Sequence, residues 1–327
     1  MTKASQQPSA GTGGDGARAG GDLLGVILAA GKGTRMAPFS ERFPKPVLPI
    51  LGKPLLQHQV ECLRDLGVQR VLIVIGHLGY EVVRALGDGG DLGVRIDYVD
   101  QGTTLGIAHA LGKLEDRIDR PFVLFLGDIF FVHDGLAPMA ALMGQDGVKG
   151  VLAVKEETNP DAIRRNFVVI EDEFGFVTRV IEKPRHPRTR LKGCGLYLFD
   201  PVFFDAVRRT PRTALRDEYE IADAIQIFID DGNPVKASRV VKDDLNLSYP
   251  RDLLEVNLAV LGQDKLLGRG VELARGARVE RSVLMDGVRV QHPIAIKDSL
   301  VFPGVTISST TDIERRIVTA EHVIDCR

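Results

Sequence analysis

A glycine-rich loop that ends in an arginine is the part of this chain best suited to chemistry. It runs Gly31-Lys32-Gly33-Thr34-Arg35 and follows the apolar run Val26-Ile27-Leu28 through two alanines. Glycines let bare backbone N–H groups approach a phosphate chain, and a forked guanidinium suits paired phosphate oxygens. Lys45, fixed between Pro44 and Pro46, supplies a second cation nearby. The residue types therefore predict a site that binds phosphate groups.

The loop differs from two familiar phosphate-binding motifs. No Gly-Lys-Ser/Thr closes it, as a Walker A loop requires, and the third glycine of a dinucleotide fingerprint is missing. A kinase-like enzyme that transfers a γ-phosphate is therefore disfavoured.

An acidic residue follows a second apolar run. Phe122–Leu126 has the length and composition of a buried strand, and Gly127-Asp128 comes directly after it. A carboxylate at the carboxyl end of a strand is a natural ligand for Mg²⁺. The glycine loop also lies just past a strand, and ligands of parallel sheets bind beyond those ends. We therefore expect Asp128 to face the glycine loop.

Short apolar runs alternate with helical patterns along most of the chain. Pro54 and Gly67 bracket the first predicted helix, in which Leu56, Val60 and Leu63 share one face. The alternation predicts an α/β fold with a doubly wound, Rossmann-like mixed sheet. Further predicted strands are Val71–Ile75, Val94–Val99, Gly150–Val154, Phe167–Ile170, Val177–Ile181 and Gly195–Phe199. Further predicted helices are Gly79–Leu86, Gly106–Leu114, Tyr219–Asp230 and Asp252–Leu261.

The pattern of apolar residues in the sequence changes after Leu266. Val, Ile and Leu recur at spacings near six with small turn-forming residues between them. This resembles a short left-handed β-helix of hexapeptide repeats, with a plain β-rich subdomain as the alternative. We expect a disordered tail over residues 1–22, a catalytic domain over 23–262 and a β-helix-like domain over 263–327. The last would serve packing or contacts within a homo-oligomer.

Bulk composition excludes several classes of function. The 327 residues carry a net charge of −2 without a basic run, which argues against a nucleic-acid partner. The apolar runs are of strand length, so no membrane span is expected, and the glycine-rich first residues do not form a signal peptide. The three separated cysteines form no metal or disulfide pattern and fit a reducing cytoplasm.

The glycine loop, the Pro-Lys-Pro segment and the Gly127-Asp128 pair together resemble the sugar nucleotidyltransferases. The likeness covers residues 25 to about 260 and is greatest to the glucose-1-phosphate thymidylyltransferase group in its longer form with a C-terminal β-helix. It implies an Mg²⁺-dependent enzyme that joins a nucleoside triphosphate to a sugar 1-phosphate and releases pyrophosphate. Such chemistry needs positioning and cationic stabilisation more than covalent help.

The resemblance implies a role for individual residues. Arg35 would contact the phosphoryl group under attack, Lys45 would balance charge between the substrates, and Lys183 would contact the sugar phosphate. Gln101 would pair with uracil or thymine, which favours UTP or dTTP, and Asp128 would hold the metal. The implied nucleotide-binding residues are Leu28, Ala30, Gly31, Gly33, Thr34, Gln101 and Gly106. The implied sugar-binding residues are Asp128, Glu182, Lys183, Gly195 and Glu220.

Two positions depart from the family's pattern. Asn246 stands where relatives often have a second metal-binding Asp, and its neutral amide is a weaker ligand. Asp243 and Asp244 are alternatives if that loop is shifted. Phe167 stands where glycine is common, and it could narrow the sugar pocket. A modified sugar or a non-sugar phosphate therefore stays open beside glucose 1-phosphate.

A different class of function is also open to this sequence. Some relatives are catalytically silent subunits that bind a nucleotide sugar and regulate an active partner. The joint presence of Arg35, Lys45, Asp128 and Lys183 argues against that alternative. His109 is not expected to act as a general base, because a sugar phosphate is already ionised at neutral pH.

Overall fold

The computed structural model describes residues 23–213 and 217–327. The predicted disordered tail over residues 1–22 lies outside the described residues. In the described ranges, no helix has both the length and the apolar character needed to span a bilayer.

The first part of the chain forms a mixed sheet with helices on both faces. Its strands are β1 (Leu24–Leu28), β2 (Pro49–Ile50), β3 (Lys53–Pro54), β4 (Arg70–Ile75), β5 (Arg95–Asp100), β6 (Phe122–Leu126), β7 (Ile129–His133), β8 (Gly150–Glu156), β9 (Phe167–Glu171), β10 (Val177–Glu182), β11 (Leu191–Phe199), β12 (Val235–Ser238) and β13 (Val241–Asn246). Its helices are α1 (Leu55–Leu66), α2 (Gly79–Leu86), α3 (Ile107–Gly112), α4 (Ala137–Ala140), α5 (Pro160–Arg165), α6 (Phe203–Arg209), α7 (Ile221–Asp230) and α8 (Pro250–Val260). Short 3₁₀ helices lie at Thr34–Met36, Phe39–Glu41, Lys45–Val47, Gly90–Leu92, Glu115–Arg117 and Gln145–Gly147.

The main sheet has the strand order β10-β9-β11-β6-β1-β4-β5, and β8 and β12 branch from β11. The segment β6-β1-β4-β5 is parallel, whereas β11 runs antiparallel to β6. Strands β7 and β13 form a separate antiparallel ribbon. The carboxyl ends of β1 and β6 therefore lie side by side, and the residues that follow both strands meet at one edge.

Alternation along the strands builds a core layer on each face of the sheet. In β1, Val26 joins the layer that includes α3, α6 and α7, whereas Ile27 joins the layer that includes α1 and α2. Both side chains are fully buried. A strand covered on both faces reads as a continuous apolar run, which is the pattern that the sequence shows there.

The predicted doubly wound mixed sheet is confirmed. The predicted helix between Pro54 and Gly67 is α1, which Gly67 ends in the left-handed region at φ 101°. The structure adds elements that the sequence patterns did not predict, namely β2, β3, β7, α4, α5, α6, β12 and β13. Strand β13, with its three consecutive charged residues Lys242–Asp244, lacks an apolar pattern because one edge of its ribbon faces a polar cavity.

The C-terminal strands stack into three parallel ladders. They are β14 (Lys265–Leu267), β15 (Glu272–Leu273), β16 (Arg278–Glu280), β17 (Ser282–Leu284), β18 (Arg289–Val290), β19 (Ala295–Lys297), β20 (Leu300–Val301), β21 (Thr306–Ile307), β22 (Ile313–Glu314), β23 (Arg316–Val318) and β24 (Val323–Asp325). The ladders are β14-β17-β20-β23, β15-β18-β21 and β16-β19-β22, and β24 closes the first one antiparallel. This is the predicted β-helix of hexapeptide type.

Equivalent positions of the β-helix are 17 residues apart. The buried hydroxyl of Ser282 accepts a hydrogen bond from the backbone N–H of Ser299, which lies one coil further on. At the same corner Arg281, Asp298 and Arg315 adopt the left-handed region at φ 40°, 46° and 49°. The corner recurs at each coil, so the repeat is set by backbone conformation as well as by apolar spacing.

One apolar cluster joins the β-helix to the first part of the chain. Phe39 stacks on Phe302 of the β-helix with ring centroids 5.5 Å apart. The same cluster contains Met36, Leu48, Ile50, Leu253, Leu254, Val283, Leu300 and Ile317. The segment after the glycine loop therefore packs directly against the β-helix.

Candidate active site

A cavity of about 240 Å³ lies where the chain leaves β1 and β6, and we call it the glycine-loop cavity. Residues from the glycine loop, the Pro-Lys-Pro segment and the turn after β6 line it together. The lining residues are Leu28, Ala29, Ala30, Gly31, Lys45, Pro46, Gln101, Thr104, Gly106, Ile107, Ala110, Leu126, Gly127, Asp128 and Glu218. The segments predicted to bind a nucleotide thus meet in one place.

The glycine loop is open at one glycine and crowded at the other. A Cβ on Gly31 would meet no atom within 4 Å, so its backbone is accessible to a bound group. Gly33 adopts φ 60°, and a Cβ there would lie 2.9 Å from Cγ of Lys45. Gly33 therefore serves the left-handed turn and the close packing of the Lys45 stem.

Lys45 and Asp128 form an ion pair across this cavity. The Nζ of Lys45 lies 3.4 Å from Oδ2 of Asp128. The Lys45 side chain is only 10% exposed, whereas that of Asp128 is 47% exposed. The carboxylate therefore keeps oxygen lone pairs open to a ligand, while the ammonium is fixed by its packed stem.

The turn that carries Asp128 is held by backbone hydrogen bonds to two neighbouring segments. Gly127 N–H donates to the carbonyl of Leu28 at 2.9 Å, and Leu247 N–H donates to the carbonyl of Asp128 at 3.0 Å. A Cβ on Gly127 would lie 2.8 Å from the oxygen of Leu28, which explains the glycine. The turn is thereby fixed to the end of β1 and to the end of β13.

The loop between β5 and α3 forms another wall of the glycine-loop cavity. Gln101 is 3% exposed, and its backbone N–H donates to the carbonyl of Ile75 at 2.8 Å. Its carbonyl accepts a hydrogen bond from Nζ of Lys113. Gly106 adopts φ 105°, and a Cβ there would lie 2.7 Å from the backbone nitrogen of Tyr219. These contacts fix the backbone of a buried glutamine and of a glycine at the same wall.

A larger and more polar cavity of about 680 Å³ lies on the other side of the Asp128 turn, and we call it the β13 cavity. Its lining is rich in cations. The lining residues are Arg35, Lys155, Glu157, Ala162, Arg165, Asn166, Lys183, Lys192, Asp244, Asn246, Ser248, Tyr249, Arg251 and Asp252. The guanidinium carbon of Arg35 lies 5.4 Å from the ring centroid of Tyr249, within the range of a cation–π contact.

The predicted site residues divide between these two cavities. Those that line the glycine-loop cavity are Leu28, Ala30, Gly31, Lys45, Gln101, Gly106 and Asp128. Those that line the β13 cavity are Arg35, Lys183 and Asn246. Gly33, Thr34, Glu182, Gly195 and Glu220 are absent from both linings. Arg35 thus lies beside the predicted sugar-phosphate residues rather than in the cavity of Asp128.

The two cavities are linked through the β7–β13 ribbon. Asn246 pairs with Ile129, the residue directly after Asp128. Because Leu247 N–H also bonds to Asp128, the two predicted metal ligands belong to adjacent backbones. A substrate that spans both cavities would pass this ribbon end.

An ion-pair network forms the floor of the β13 cavity. Nζ of Lys192 lies 2.6 Å from Oδ2 of Asp244, and both side chains are almost fully buried. Lys155 bridges Asp243 and Asp244. Burial lowers the pKa of Lys155, but hydrogen bonds and charge from these two carboxylates outweigh it and raise the pKa above its usual value. Asp244 is therefore engaged by two lysines.

Lys183 lies at the rim of the same cavity. Its backbone adopts φ 43°, and its N–H donates to the carbonyl of Asn166 at 3.1 Å. Its Nζ lies 2.8 Å from Oε1 of Glu182. The left-handed backbone turns the ammonium of Lys183 toward the cavity while Glu182 stays outside the lining.

Phe167, the residue expected to narrow the sugar pocket, lines neither of the two cavities. Phe167 is 5% exposed and stacks on Tyr197 at 6.1 Å between ring centroids. A Cβ on Gly193 would overlap the Phe167 ring. The ring thus fills space that Gly193 leaves empty in the core, and its neighbour Asn166 lines the cavity instead.

Sequence patterns missed several lining residues. Glu218 lines the glycine-loop cavity, whereas the predicted Glu220 is the buried residue that precedes α7. Lys155 and Lys192 come from two antiparallel strands, β8 and β11, whose pairing joins them. Their register is a tertiary property, so no local motif could indicate that both lysines reach one cavity.

The donor chemistry at the Asp128 turn fits Mg²⁺. An open carboxylate and the nearby amide of Asn246 offer the hard oxygen ligands that this ion takes. Within residues 23–213 and 217–327, no three His, Cys, Asp or Glu side chains group closely enough to enclose a metal. Mg²⁺ usually keeps several waters and binds through one or two protein oxygens and substrate phosphates.

Two protein-family models match this chain. The one described as nucleotidyl transferase matches residues 24–260. The one described as GlmU-like C-terminal hexapeptide matches residues 260–326. The first covers both cavities, and the second covers the three parallel ladders.

Named relatives show the same likeness. A UTP–glucose-1-phosphate uridylyltransferase of Haloferax volcanii is 37% identical over 70% of this chain and 93% of its own length. A glucose-1-phosphate thymidylyltransferase of Streptomyces griseus is 31% identical over 88% of this chain and 80% of its own. A UDP-glucose pyrophosphorylase solved with UDP-glucose superposes with a TM-score of 0.65 at 24% identity, over 73% of this chain and 98% of that one.

Proposed function

The chain belongs to the nucleotidyl transferase family, and from that premise we propose that it condenses UTP or dTTP with a hexose 1-phosphate such as glucose 1-phosphate. The products are a nucleoside diphosphate sugar and pyrophosphate. The observation that carries the proposal is the Lys45–Asp128 ion pair beside the open backbone of Gly31. It brings a cation, a metal-binding carboxylate and a phosphate-binding loop into one cavity.

The glycine-loop cavity is the proposed nucleotide site. The backbone of Gly31 binds the triphosphate, and the Gln101 amide pairs with N3–H and a carbonyl of the pyrimidine. Gly106 gives the flat base a wall without a side chain. A buried amide that both donates and accepts suits uracil or thymine, and the related uridylyl and thymidylyl enzymes use those two bases.

The β13 cavity is the proposed site of the sugar phosphate. Lys183 at its rim binds the phosphate, and Asn166 and Ser248 offer groups that hydrogen-bond to sugar hydroxyls. Arg35 lines the same cavity, and from there its guanidinium would stabilise the charge of the phosphoryl group under attack. The two substrates then meet at the end of the β7–β13 ribbon.

Asp128 and Asn246 are the residues that would hold Mg²⁺. The bound ion supplies charge neutralisation on the triphosphate. Lys45, fixed against Gly33, holds a positive charge beside Asp128 and keeps the carboxylate in place between the substrates. No general base is required, because the attacking phosphate oxygen is already ionised.

The family's activity is consistent with a cytoplasmic enzyme. Cys62, Cys194 and Cys326 are all free thiols. Burial is the main cause that raises the pKa of each of them, so they resist ionisation and disulfide exchange. We propose that residues 23–262 form the catalytic unit and that residues 263–327 form a packing and assembly unit.

Two substitutions test this proposal. Arg35→Ala and Asp128→Ala should each abolish pyrophosphate release with UTP or dTTP and glucose 1-phosphate. Circular dichroism should show an unchanged fold, since both side chains face cavities rather than the core. Retained turnover in either folded variant would refute the role given to that residue.

A further inference from the structure

One buried side chain of α1 reaches the turn that carries Asp128. Gln59 is 3% exposed, and its Nε2 donates to the carbonyl of Leu126 at 2.9 Å and to the carbonyl of Ile129 at 2.8 Å. These carbonyls lie directly before and after the pair Gly127-Asp128. A single amide group therefore holds both ends of the turn.

The orientation of this amide follows from its partners. Both neighbours are carbonyl oxygens, which accept hydrogen bonds, so the nitrogen and not the oxygen of Gln59 must face them. Within the described residues, Oε1 of Gln59 is buried and has no hydrogen-bond partner. A buried acceptor without a partner costs free energy, and such costs in native structures call for an explanation. The two hydrogen bonds that hold the Asp128 turn explain why the Gln59 amide keeps an unpaired buried oxygen.

The carboxylate of Asp128 depends on its backbone for its position. Its own side chain is half exposed, and it is held by the 3.4 Å ion pair with Lys45. The turn around it is fixed by Leu28 and Leu247 at its centre and by Gln59 at its two ends. Loss of the Gln59 amide would remove a hydrogen bond from each of these two carbonyls and would loosen both ends of the turn.

We propose that Gln59 is a positioning residue that sets the Asp128 carboxylate for a divalent cation bound with the nucleotide. The inference rests on the proposed function of Asp128. Gln59 touches neither substrate nor ion; it acts through the backbone of residues 126–129. Groups that orient a ligating carboxylate commonly change metal affinity when they are removed.

Gln59→Met tests the proposal, because it keeps the side-chain volume and removes the donor. Gln57→Met is the matched control, since Gln57 lies on the same helix and its amide donates to the side chain of Glu61 at 2.9 Å rather than to the Asp128 turn. Affinity is measured with Mn²⁺ and UTP by electron paramagnetic resonance, and the Mg²⁺ concentration for half-maximal rate is measured in parallel. We expect Gln59→Met to lower the affinity for Mn²⁺ about tenfold and to raise the Mg²⁺ concentration needed for the half-maximal rate by about the same factor. The maximal rate should recover at saturating Mg²⁺, and Gln57→Met should match the parent protein.

Gln59→Asn covers the case in which Gln59→Met does not fold. It keeps a polar amide but is one methylene shorter, so it cannot reach both carbonyls, and we expect an intermediate loss of Mn²⁺ affinity. A folded variant with unchanged Mn²⁺ affinity and unchanged Mg²⁺ requirement would overturn the inference. If the parent protein itself releases no pyrophosphate, the proposed function fails instead, and the two failures are thereby distinguished.

Discussion

The ammonium of Lys45 lies 3.4 Å from a carboxylate oxygen of Asp128, although the two residues are 83 positions apart in the chain. Lys45 is fixed by its packing on Gly33. Asp128 lies in a turn that is held by the ends of β1 and β13 and by the Gln59 side chain of α1. The pair therefore joins the glycine loop, the proposed phosphate site, to the Asp128 turn, the proposed metal site. The first prediction therefore concerns the charge of Lys45.

Lys45→Met should abolish most of the activity without unfolding the protein. The variant keeps the apolar stem against Gly33 but removes the charge, so we expect kcat/KM to fall by about 100-fold or more. Lys53→Met is the control, because Lys53 is an exposed lysine paired with Glu61. Steady-state pyrophosphate release measures both. Equal activities of the two variants would contradict the role given to Lys45.

Gln101→Leu should weaken the choice of base rather than the chemistry. The substitution keeps the volume of a buried side chain and removes the groups that pair with the pyrimidine edge. We expect the preference for UTP over CTP, measured as a ratio of kcat/KM values, to shrink about tenfold, the effect of one lost hydrogen bond. Gln69→Leu, at an exposed position, should leave the ratio unchanged. An unaltered ratio in Gln101→Leu would remove this residue from the base site.

Phe167 and Gly193 should behave as a complementary pair in unfolding experiments. Gly193→Val alone should strongly lower the free energy of unfolding, because its side chain would overlap the Phe167 ring. Phe167→Gly alone should lower the free energy of unfolding by about 3 kcal/mol or more through the cavity that it leaves. The double variant should be more stable than either single one. Strictly additive losses in urea unfolding would show that the two residues do not share one space.

Much of this architecture could be predicted from the sequence because its signals are local. The helix between Pro54 and Gly67 has its own start and stop, and the β-helix repeats its apolar spacing. The β7–β13 ribbon could not be predicted, since Lys242–Asp244 read as a charged loop until they meet β7. The burial of Phe167 could not be predicted for a similar reason, because its place in the core depends on Gly193 in another strand.

The site residues also fall into those that local sequence signals predict and those that they do not. The glycine loop and Asp128 follow strands directly, so sheet geometry predicts that they meet. Gln59 carries no motif, and its contact with the Asp128 turn arises from how α1 packs under β6 and β7. Lys155 and Lys192 likewise meet through the register of β8 and β11. Residues that act only through tertiary contacts form no recognisable motif in the local sequence.

Stability should fall as the pH drops below neutrality. Burial is the main cause that lowers the pKa of both His58 and His133 below 6.5 in the folded protein. The unfolded chain then binds protons first, so stability is full above pH 6.5 and is lost as the pH falls through the folded pKa values. The melting temperature should therefore decrease from pH 7.5 to pH 5.5.

His133→Asn should make this pH dependence shallower. Its side-chain oxygen can still accept the hydrogen bond that Gly135 N–H donates to Nδ1 of His133 at 2.9 Å. His77→Asn, at an exposed position, is the control and should keep the parent slope. If the melting temperature of the His133→Asn variant falls with pH as steeply as that of the parent protein, other groups set the acid sensitivity.

The most direct test of the account is to quantify both products in one reaction. Purified protein is mixed with Mg²⁺, glucose 1-phosphate and either UTP or dTTP, and the nucleotides are separated by anion-exchange chromatography. We predict nucleoside diphosphate glucose and pyrophosphate in equal amounts, with no product when either substrate is omitted. Release of nucleoside diphosphate and a phosphorylated sugar, or binding of nucleotide sugar without turnover of any substrate pair, would contradict it.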